Sequence, residues 1–233
     1  MAEKRVDRAF AEKFLQSVDA PLDYGVYFLF HEWWEEAPES AIDGYVEEMM
    51  AIPNAEAFLA ERHFAEPLTL ERLAACAPGT LGHAYRAFIV ENSLEQNLGR
   101  NYRAMNEELT QNGKLKRLPA DLSYMIVRGF QVHDFMHILT GYRATHMGEL
   151  ALAAYYLAQM RFPYHAMRMA VTAAHYALLE PRIITECMDA IADGWSFGRR
   201  SENINFAKWE DEIDTPLLDL RQRFKLDTIA TAV

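Results

Sequence analysis

Apolar residues recur at intervals of three and four along almost the whole chain, which is the spacing that places side chains on one face of an α-helix. The clearest early examples are Val6, Phe10, Phe14 and Val18, followed by Ile42, Tyr45, Val46, Met49 and Met50. Helix-breaking residues divide the pattern at Pro21, Pro53, Pro67, Pro78-Gly79, Asn112-Gly113, Pro119, Gly141, Pro163, Pro181 and Pro216. The sequence therefore predicts an all-α fold of about eight to ten helices.

Two segments carry other local signals, one resembling a strand and one typical of a helix start. Gly25 to Phe30 is the only stretch that resembles a strand, but it runs into a cluster of aromatic residues without turn signals, so we expect a buried helix there. Thr215 followed by Pro216 is typical of a helix start, a capping hydroxyl before a ring already set at helical φ. This last segment is expected to dock as a terminal helix that runs through Phe224.

No repeat, low-complexity tract or linker marks a boundary within the 233 residues, so we predict a single helical domain over residues 1–233. The hydrophobic fraction of 51% and the charged fraction of 24% are typical of a globular chain with a packed core. A net charge of -11 repels phosphate backbones, which argues against a nucleic-acid partner.

The compartment can be inferred from cysteines and apolar runs. Cys76 and Cys187 lack C-x-x-C spacing, so neither a disulfide framework nor a thiolate zinc site is indicated, and a reducing compartment fits best. The first twenty residues lack the apolar run of a signal peptide. The longest apolar run, Leu150 to Ala158, is about half the length needed to cross a bilayer, so any membrane contact is expected at the surface.

The residues that carry chemistry begin near Pro119. Leu122, Ile126, Phe130, His133 and His137 follow one another by four, four, three and four positions, so both histidines continue an apolar helix face. Asp134 precedes His137 by three residues, and its carboxylate can reach the same side of the helix. Three candidate ligands thus fall within about one turn.

A fourth candidate follows a reversal of the chain. Gly141 permits a turn, and a second helix is predicted to begin near His146 to Gly148 and to continue to Met160, with Glu149 in its first turns. Two helices joined by a short loop usually pack antiparallel, which would bring Glu149 to the histidines.

Each of these four residues alone is more often a satisfied core histidine or a surface acid than a ligand. Together they favour a metal, because an acid between two buried imidazoles would otherwise leave a charge in low dielectric. We therefore predict a divalent-metal site made by His133, Asp134, His137 and Glu149. Imidazole and carboxylate without thiolate suit zinc, iron(II) or manganese, and the spacing does not choose among them.

The other histidines are weaker signals. His31, His63, His146 and His165 have no partner at metal-ligand spacing and are expected to be packed or exposed. The run H-D-F-M-H also differs from the H-E-x-x-H of zinc proteases, because the shorter Asp is better placed to bind than to act as a general base.

The motif H-D-F-M-H at 133–137, with Glu149 twelve positions after the second His, resembles the signature of the coenzyme Q (ubiquinone) biosynthesis protein Coq4 family. The similarity covers roughly residues 78–226 and suggests a bacterial-type member. Four other stretches resemble family segments in the expected order: P-G-T-L-G-H-A-Y at 78–85, Y-M-I-V-R at 124–128, G-W-S-F-G-R-R at 194–200 and W-E-D-E-I-D-T-P-L-L-D-L-R at 209–221.

This resemblance implies an all-helical fold, a divalent metal that is most often taken as zinc, and an apolar groove for a polyprenyl tail. It also implies removal of the ring carboxylate of a polyprenylated hydroxybenzoate with hydroxylation at that carbon, the reaction of a metal-dependent decarboxylase (a lyase). Expected partners are this lipid intermediate, the other ubiquinone biosynthesis enzymes and the membrane surface, and two copies of the chain could form a homodimer. The expected location is cytoplasmic and peripheral on the inner membrane of a bacterium, or the matrix side of that membrane in a mitochondrion.

Three hypotheses for the function remain open. In the first, an enzyme, Arg128 and Arg199 are candidates for orienting the anionic head group. In the second, a non-catalytic scaffold binds the lipid and presents it to partner enzymes, with a structural metal. In the third, an HD-type metal phosphohydrolase, a distant His83 and Asp189 would complete the site.

Overall fold

The computed structural model describes residues 8–21, 24 and 33–226, and within them it confirms the all-α class. These residues contain thirteen α-helices: α1 (Arg8–Asp19), α2 (Trp33–Glu36), α3 (Glu39–Met50), α4 (Ala55–Glu61), α5 (Leu70–Ala74), α6 (Leu81–Glu91), α7 (Glu95–Leu98), α8 (Tyr102–Gln111), α9 (Ala120–Thr140), α10 (His146–Met160), α11 (Pro163–Leu179), α12 (Ile184–Arg200) and α13 (Leu217–Arg223). Two 3₁₀ turns, Pro181–Ile183 and Trp209–Glu212, complete them. The number exceeds the sequence-based prediction because several helices are single turns between breakers.

The predicted helix at Gly25 to Phe30 lies outside the described residues, as does His31. The extent of the predicted single domain, residues 1–233, likewise stays a prediction. None of the helices that the structure describes combines the length and the apolar composition needed to span a bilayer.

The long helix α9 joins two hydrophobic clusters. Its first half, around Leu122 and Val127, packs with α3, α4 and the start of α11. Its second half, around Val132 and Leu139, packs with α6, α10 and α12. Because both clusters share this helix, its middle turns, where His133 lies, are positioned from both sides.

The predicted turn between α9 and α10 is confirmed. Gly141 follows α9 with φ +84°, a left-handed conformation that favours glycine at a helix end. Residues 141–145 reverse the chain, and the hydroxyl of Thr145 caps α10 by accepting a hydrogen bond from the backbone N–H of Gly148 at 3.2 Å. Glu149 therefore lies in the first turn of α10, as the sequence predicts.

The loop brings Glu149 to the histidines of α9 as expected, but the helix that α10 contacts most extensively is α12. A Cβ atom on Gly194 would lie 2.0 Å from the carbonyl oxygen of Ala151, and one on Gly198 would lie 2.7 Å from that of Tyr155. Two glycines four residues apart thus let the backbones of α12 and α10 approach more closely than larger side chains allow.

The terminal helix α13 docks against the end of α9. Arg221 donates hydrogen bonds to the carbonyl oxygens of Ile138 at 2.7 Å and Leu139 at 3.2 Å, two of the carbonyls that a helix end leaves without partners. Thr215 does not cap this helix as predicted. Its hydroxyl instead donates to Glu212 at 2.6 Å, and α13 begins only after Pro216.

Candidate metal centre

Three of the four predicted ligands converge. His133 and His137 lie one turn apart on α9, and Glu149 approaches them from the first turn of α10. One ligand atom from each lies within 4.8 Å of the other two, and this is the only such cluster of three or more potential ligands within residues 8–21, 24 and 33–226. The two Nε2 atoms are 3.3 Å apart, which is about the edge of a tetrahedron with zinc–nitrogen bonds of roughly 2.0–2.1 Å.

The orientation of His137 is fixed by a hydrogen bond on the far side of its ring. Its Nδ1 atom lies 3.0 Å from the carbonyl oxygen of Tyr142, and since a carbonyl only accepts, Nδ1 carries the proton and donates. In a neutral ring, Nε2 then holds a lone pair toward the Glu149 carboxylate, whose Oε1 is 3.0 Å away. Two lone pairs at this distance repel each other unless a proton or a cation lies between them, so this arrangement suits a metal.

Glu149 is held in its ionised form. Burial acts to raise its pKa, but hydrogen bonds with His133 and His137 lower it well below the usual range. Arg168 adds a permanent positive charge, with its Nη1 3.6 Å from Oε2 of the carboxylate. A charged carboxylate ligand is therefore available at neutral pH.

Asp134 is placed differently from the other three predicted ligands. Its Oδ2 atom accepts a hydrogen bond from the side-chain amide of Asn97 at 3.3 Å, and the residue lies outside the cluster of His133, His137 and Glu149. One residue along a helix corresponds to a rotation of about 100°, which turns Asp134 away from the face that carries His133. Its role as a ligand stays a prediction.

An apolar cavity of about 310 Å³ opens beside the cluster. Its lining includes the face of α9 that the periodicity picked out, Leu122, Ile126, Phe130 and His133, together with Glu149. The remaining lining residues are Tyr45, Met125, Gly129, Tyr156, Met160, Phe162, Tyr164, His165, Arg168 and Asn205. The potential metal ligands thus form part of the wall of an otherwise largely apolar space.

Neither arginine suggested by the sequence lines this cavity. Arg128 is completely buried and binds Glu210 through two nitrogens, at 2.5 and 2.8 Å, because its position on α9 faces the Trp209–Glu212 turn. Arg199 is exposed at the end of α12, in a separate surface depression with Gln159. Their positions do not support the expected role in orienting a head group.

Arg168, which the sequence did not suggest, is the arginine that lines the cavity. Its side chain is only 13% exposed and also interacts with Tyr164. One signal was present, because Tyr164, Arg168 and Val171 follow at spacings of four and three, so Arg168 interrupts a buried stripe of α11. His165 is packed, as predicted, but it too belongs to the cavity wall.

The residues needed for a phosphohydrolase site are not brought together. His83 is exposed on α6 and Asp189 is exposed on α12, and neither belongs to the cluster around His133. This third hypothesis therefore has no structural support.

Comparison with known proteins places these features in a family. The family model described as "Coenzyme Q (ubiquinone) biosynthesis protein Coq4" matches residues 35–230, which extends the similarity well before residue 78. A mitochondrial ubiquinone biosynthesis protein coq4 from Botryotinia fuckeliana is 22% identical over 77% of this chain and 59% of its own length. Its counterpart from Pyricularia oryzae is 25% identical over 77% of this chain and 55% of its own length.

The chain spans between half and three-fifths of the length of these curated relatives. The fold itself is similar to a crystal structure at 2.85 Å resolution of a candidate ubiquinone biosynthesis protein from Nostoc punctiforme PCC 73102. That comparison has a TM-score of 0.73 at 21% identity and covers 94% of this chain and 97% of the other. Because the family model covers most of the chain, this protein belongs to the coenzyme Q (ubiquinone) biosynthesis protein Coq4 family.

Proposed function

We propose that this member of a ubiquinone biosynthesis family binds a polyprenylated hydroxybenzoate beside a divalent metal and replaces the ring carboxylate at C1 by a hydroxyl group. One observation carries the proposal: His133 and Glu149, two potential metal ligands, lie in the wall of the apolar cavity. A cavity that joins a charged centre to apolar walls fits an amphiphile with an anionic head and a hydrocarbon tail.

A metal held by His133, His137 and Glu149 alone keeps a coordination position for water or substrate, as a catalytic ion requires, whereas Asp134 as a fourth ligand would close it. Access to the site supports a catalytic ion: the side chain of His133 is 37% exposed, whereas that of His137 is 1% exposed. The imidazole and carboxylate donors suit zinc, iron(II) or manganese, and the family resemblance points to zinc among them.

The overall reaction converts Ar–COOH, water and dioxygen into Ar–OH, CO₂ and hydrogen peroxide. The bond between the ring carbon and the carboxyl carbon breaks, water supplies the oxygen of the new hydroxyl group, and two electrons with two protons pass to dioxygen. A divalent ion held by His133, His137 and Glu149 would supply Lewis acidity toward the negative charge that develops as the carboxylate leaves. The guanidinium of Arg168 lies beside Glu149 in the same wall and can pair with the substrate carboxylate. Leu122, Ile126 and Phe130 exclude water from the tail.

Replacing Arg168 by Gln is expected to lower kcat/KM for CO₂ release by about ten- to a hundredfold, the range of a lost charged hydrogen bond. The measurement uses metal-loaded protein, dioxygen and a geranylated 4-hydroxybenzoate with a labelled carboxylate. Arg199→Gln is the matched control, because that side chain is exposed and lies outside the cavity.

Equal activity of the two arginine variants would contradict the role of Arg168. If the metal-loaded protein binds the lipid but releases no CO₂, the reaction is refuted and the scaffold hypothesis takes its place. If it binds no lipid, both functions are refuted.

The tail is expected to lie against α10. Tyr156 and Met160 of this helix line the cavity, while Leu152 and Tyr155 pack elsewhere in the core. Met160→Lys should abolish binding of the geranylated probe and leave metal content unchanged, because a charge in the cavity opposes burial of methylene groups, each worth about 0.8 kcal/mol.

The control is Met188→Lys, on an exposed position of α12. Metal content and circular dichroism of the same sample show whether Met160→Lys is folded. Normal lipid binding by the folded variant would refute the placement of the tail.

A further inference from the structure

Three aromatic rings form a column that runs from the metal centre along the cavity. The ring of His133 stacks on that of Tyr156, with centroids 6.4 Å apart and planes 12° from parallel. The ring of Tyr156 stacks in turn on that of His165, at 4.9 Å and 2°. All three residues line the cavity, so the column forms part of its wall.

Two polar atoms of this column are buried without a partner. Within the part of the chain that the structure describes, neither the Tyr156 hydroxyl nor His165 Nδ1 makes a hydrogen bond. The fold provides partners for other buried tyrosines: the Tyr155 hydroxyl pairs with Ser201 at 2.8 Å, and that of Tyr142 donates to Asp193 at 2.7 Å. A buried polar group without a partner is costly, so two in one cavity wall require an explanation.

A bound ligand would explain both atoms. The Tyr156 hydroxyl can donate or accept, and His165 Nδ1 can do either according to tautomer, so together they can bind an oxygen that is itself a donor and an acceptor. A ring hydroxyl group has this property. Carboxylate recognition has its own groups in the same wall, namely Arg168 beside Glu149.

We infer that the Tyr156 hydroxyl and the His165 Nδ1 atom form a subsite for the ring hydroxyl group of the aromatic ligand. This inference rests on the proposed function, because it assigns the second polar substituent of a hydroxybenzoate. Tyr156 and His165 act here as specificity residues: they distinguish a hydroxylated ring from one that lacks the oxygen, and they hold the ring against the stacked column.

The test compares two probes on metal-loaded protein: a geranylated 4-hydroxybenzoate and the matching geranylated benzoate without the ring hydroxyl. The wild-type protein is expected to bind the hydroxylated probe about five- to tenfold more tightly, the effect of roughly one neutral hydrogen bond. Tyr156→Phe should show a clearly smaller preference, because only His165 Nδ1 remains, and it should melt no lower than the wild type, because no protein hydrogen bond is lost. His165→Phe, which preserves the stack, should reduce the preference as well.

The matched control is Tyr155→Phe, one position along α10. It removes a hydroxyl with protein partners, Ser201 and Gln159, so it should lower the melting temperature and keep the preference for the hydroxylated probe. The two neighbouring Tyr→Phe variants are thus expected to show opposite patterns.

An undiminished preference in Tyr156→Phe would overturn the inference, and so would a lower melting temperature of that variant, since its hydroxyl would then have a structural partner. Equal binding of the two probes by the wild type would overturn this inference alone and leave the proposed lipid binding intact. If neither probe binds the wild type, the proposed function fails and the subsite fails with it.

Discussion

The variant His137→Ala is expected to purify without bound metal, whereas His83→Ala keeps about one divalent ion per chain. His137 supplies one of the three ligand atoms that converge, and its buried ring is fixed by the Tyr142 carbonyl, so its loss removes a ligand that no neighbour can replace. Loss of a group that only orients a ligand by a hydrogen bond already weakens metal binding about 10- to 100-fold. Loss of the ligand itself should have a larger effect. Elemental analysis of the two purified proteins gives the result.

Thermal unfolding with added metal provides an independent readout. An ion at about a hundred times its Kd stabilises the folded state by about 2.7 kcal/mol, so the wild type and His83→Ala should melt higher with metal and His137→Ala should not. The variant Asp134→Asn in the same assay tests whether Asp134, whose carboxylate accepts a hydrogen bond from Asn97, is a metal ligand. A wild-type protein that lacks metal and shows no stabilisation by zinc, iron or manganese would refute the metal centre.

Replacing Glu210 by Gln is expected to destabilise the protein by about 3–5 kcal/mol. The ion pair of Arg128 with Glu210 is almost fully excluded from solvent, with side chains 0% and 7% exposed. Without the carboxylate, the guanidinium remains as an uncompensated charge in the interior. Because whole domains are stable by only about 5–15 kcal/mol, a large fraction of the total would be lost. Urea unfolding at neutral pH measures the change.

Two comparisons make this prediction specific. Glu202→Gln removes a surface partner of Lys225, where the side chains are 54% and 65% exposed, and should change stability by less than about 1 kcal/mol. The double variant Arg128→Met with Glu210→Leu should recover most of the loss, because apolar residues of similar volume often replace a buried ion pair without penalty. If Glu210→Gln is no more destabilising than Glu202→Gln, the proposed dependence of Arg128 on a buried ion pair with Glu210 is refuted.

The parts of the site that the sequence predicts are those with local signals. The helix from Pro119, its end at Gly141 and the start of α10 near His146 follow from periodicity and from helix-breaking residues, and the structure has all three. The spacing of His133 and His137 is likewise local, since positions four apart on a helix are neighbours in any fold.

Long-range packing determines the other parts of the site. Arg168 reaches Glu149 only because α11 crosses the start of α10, and no spacing within the sequence encodes that approach. The same limit explains the choice of the wrong arginine. Arg128 adjoins the metal motif along the chain, but its direction on α9 pairs it with Glu210, 82 residues later.

The partners of the polar groups on α9 also determine how late during synthesis the native surroundings of this helix can form. Arg128 depends on Glu210, and the carbonyl groups at the end of the helix depend on Arg221, so each contact joins residues about eighty positions apart. When His133, His137 and Glu149 have left the ribosome, neither partner has yet been translated. The nascent chain therefore carries the candidate ligands His133 and His137 on a helix whose buried cation and last carbonyl groups lack their native partners. Both partners lie between residues 210 and 221, so the native surroundings of the candidate metal centre form only after that segment has been synthesised.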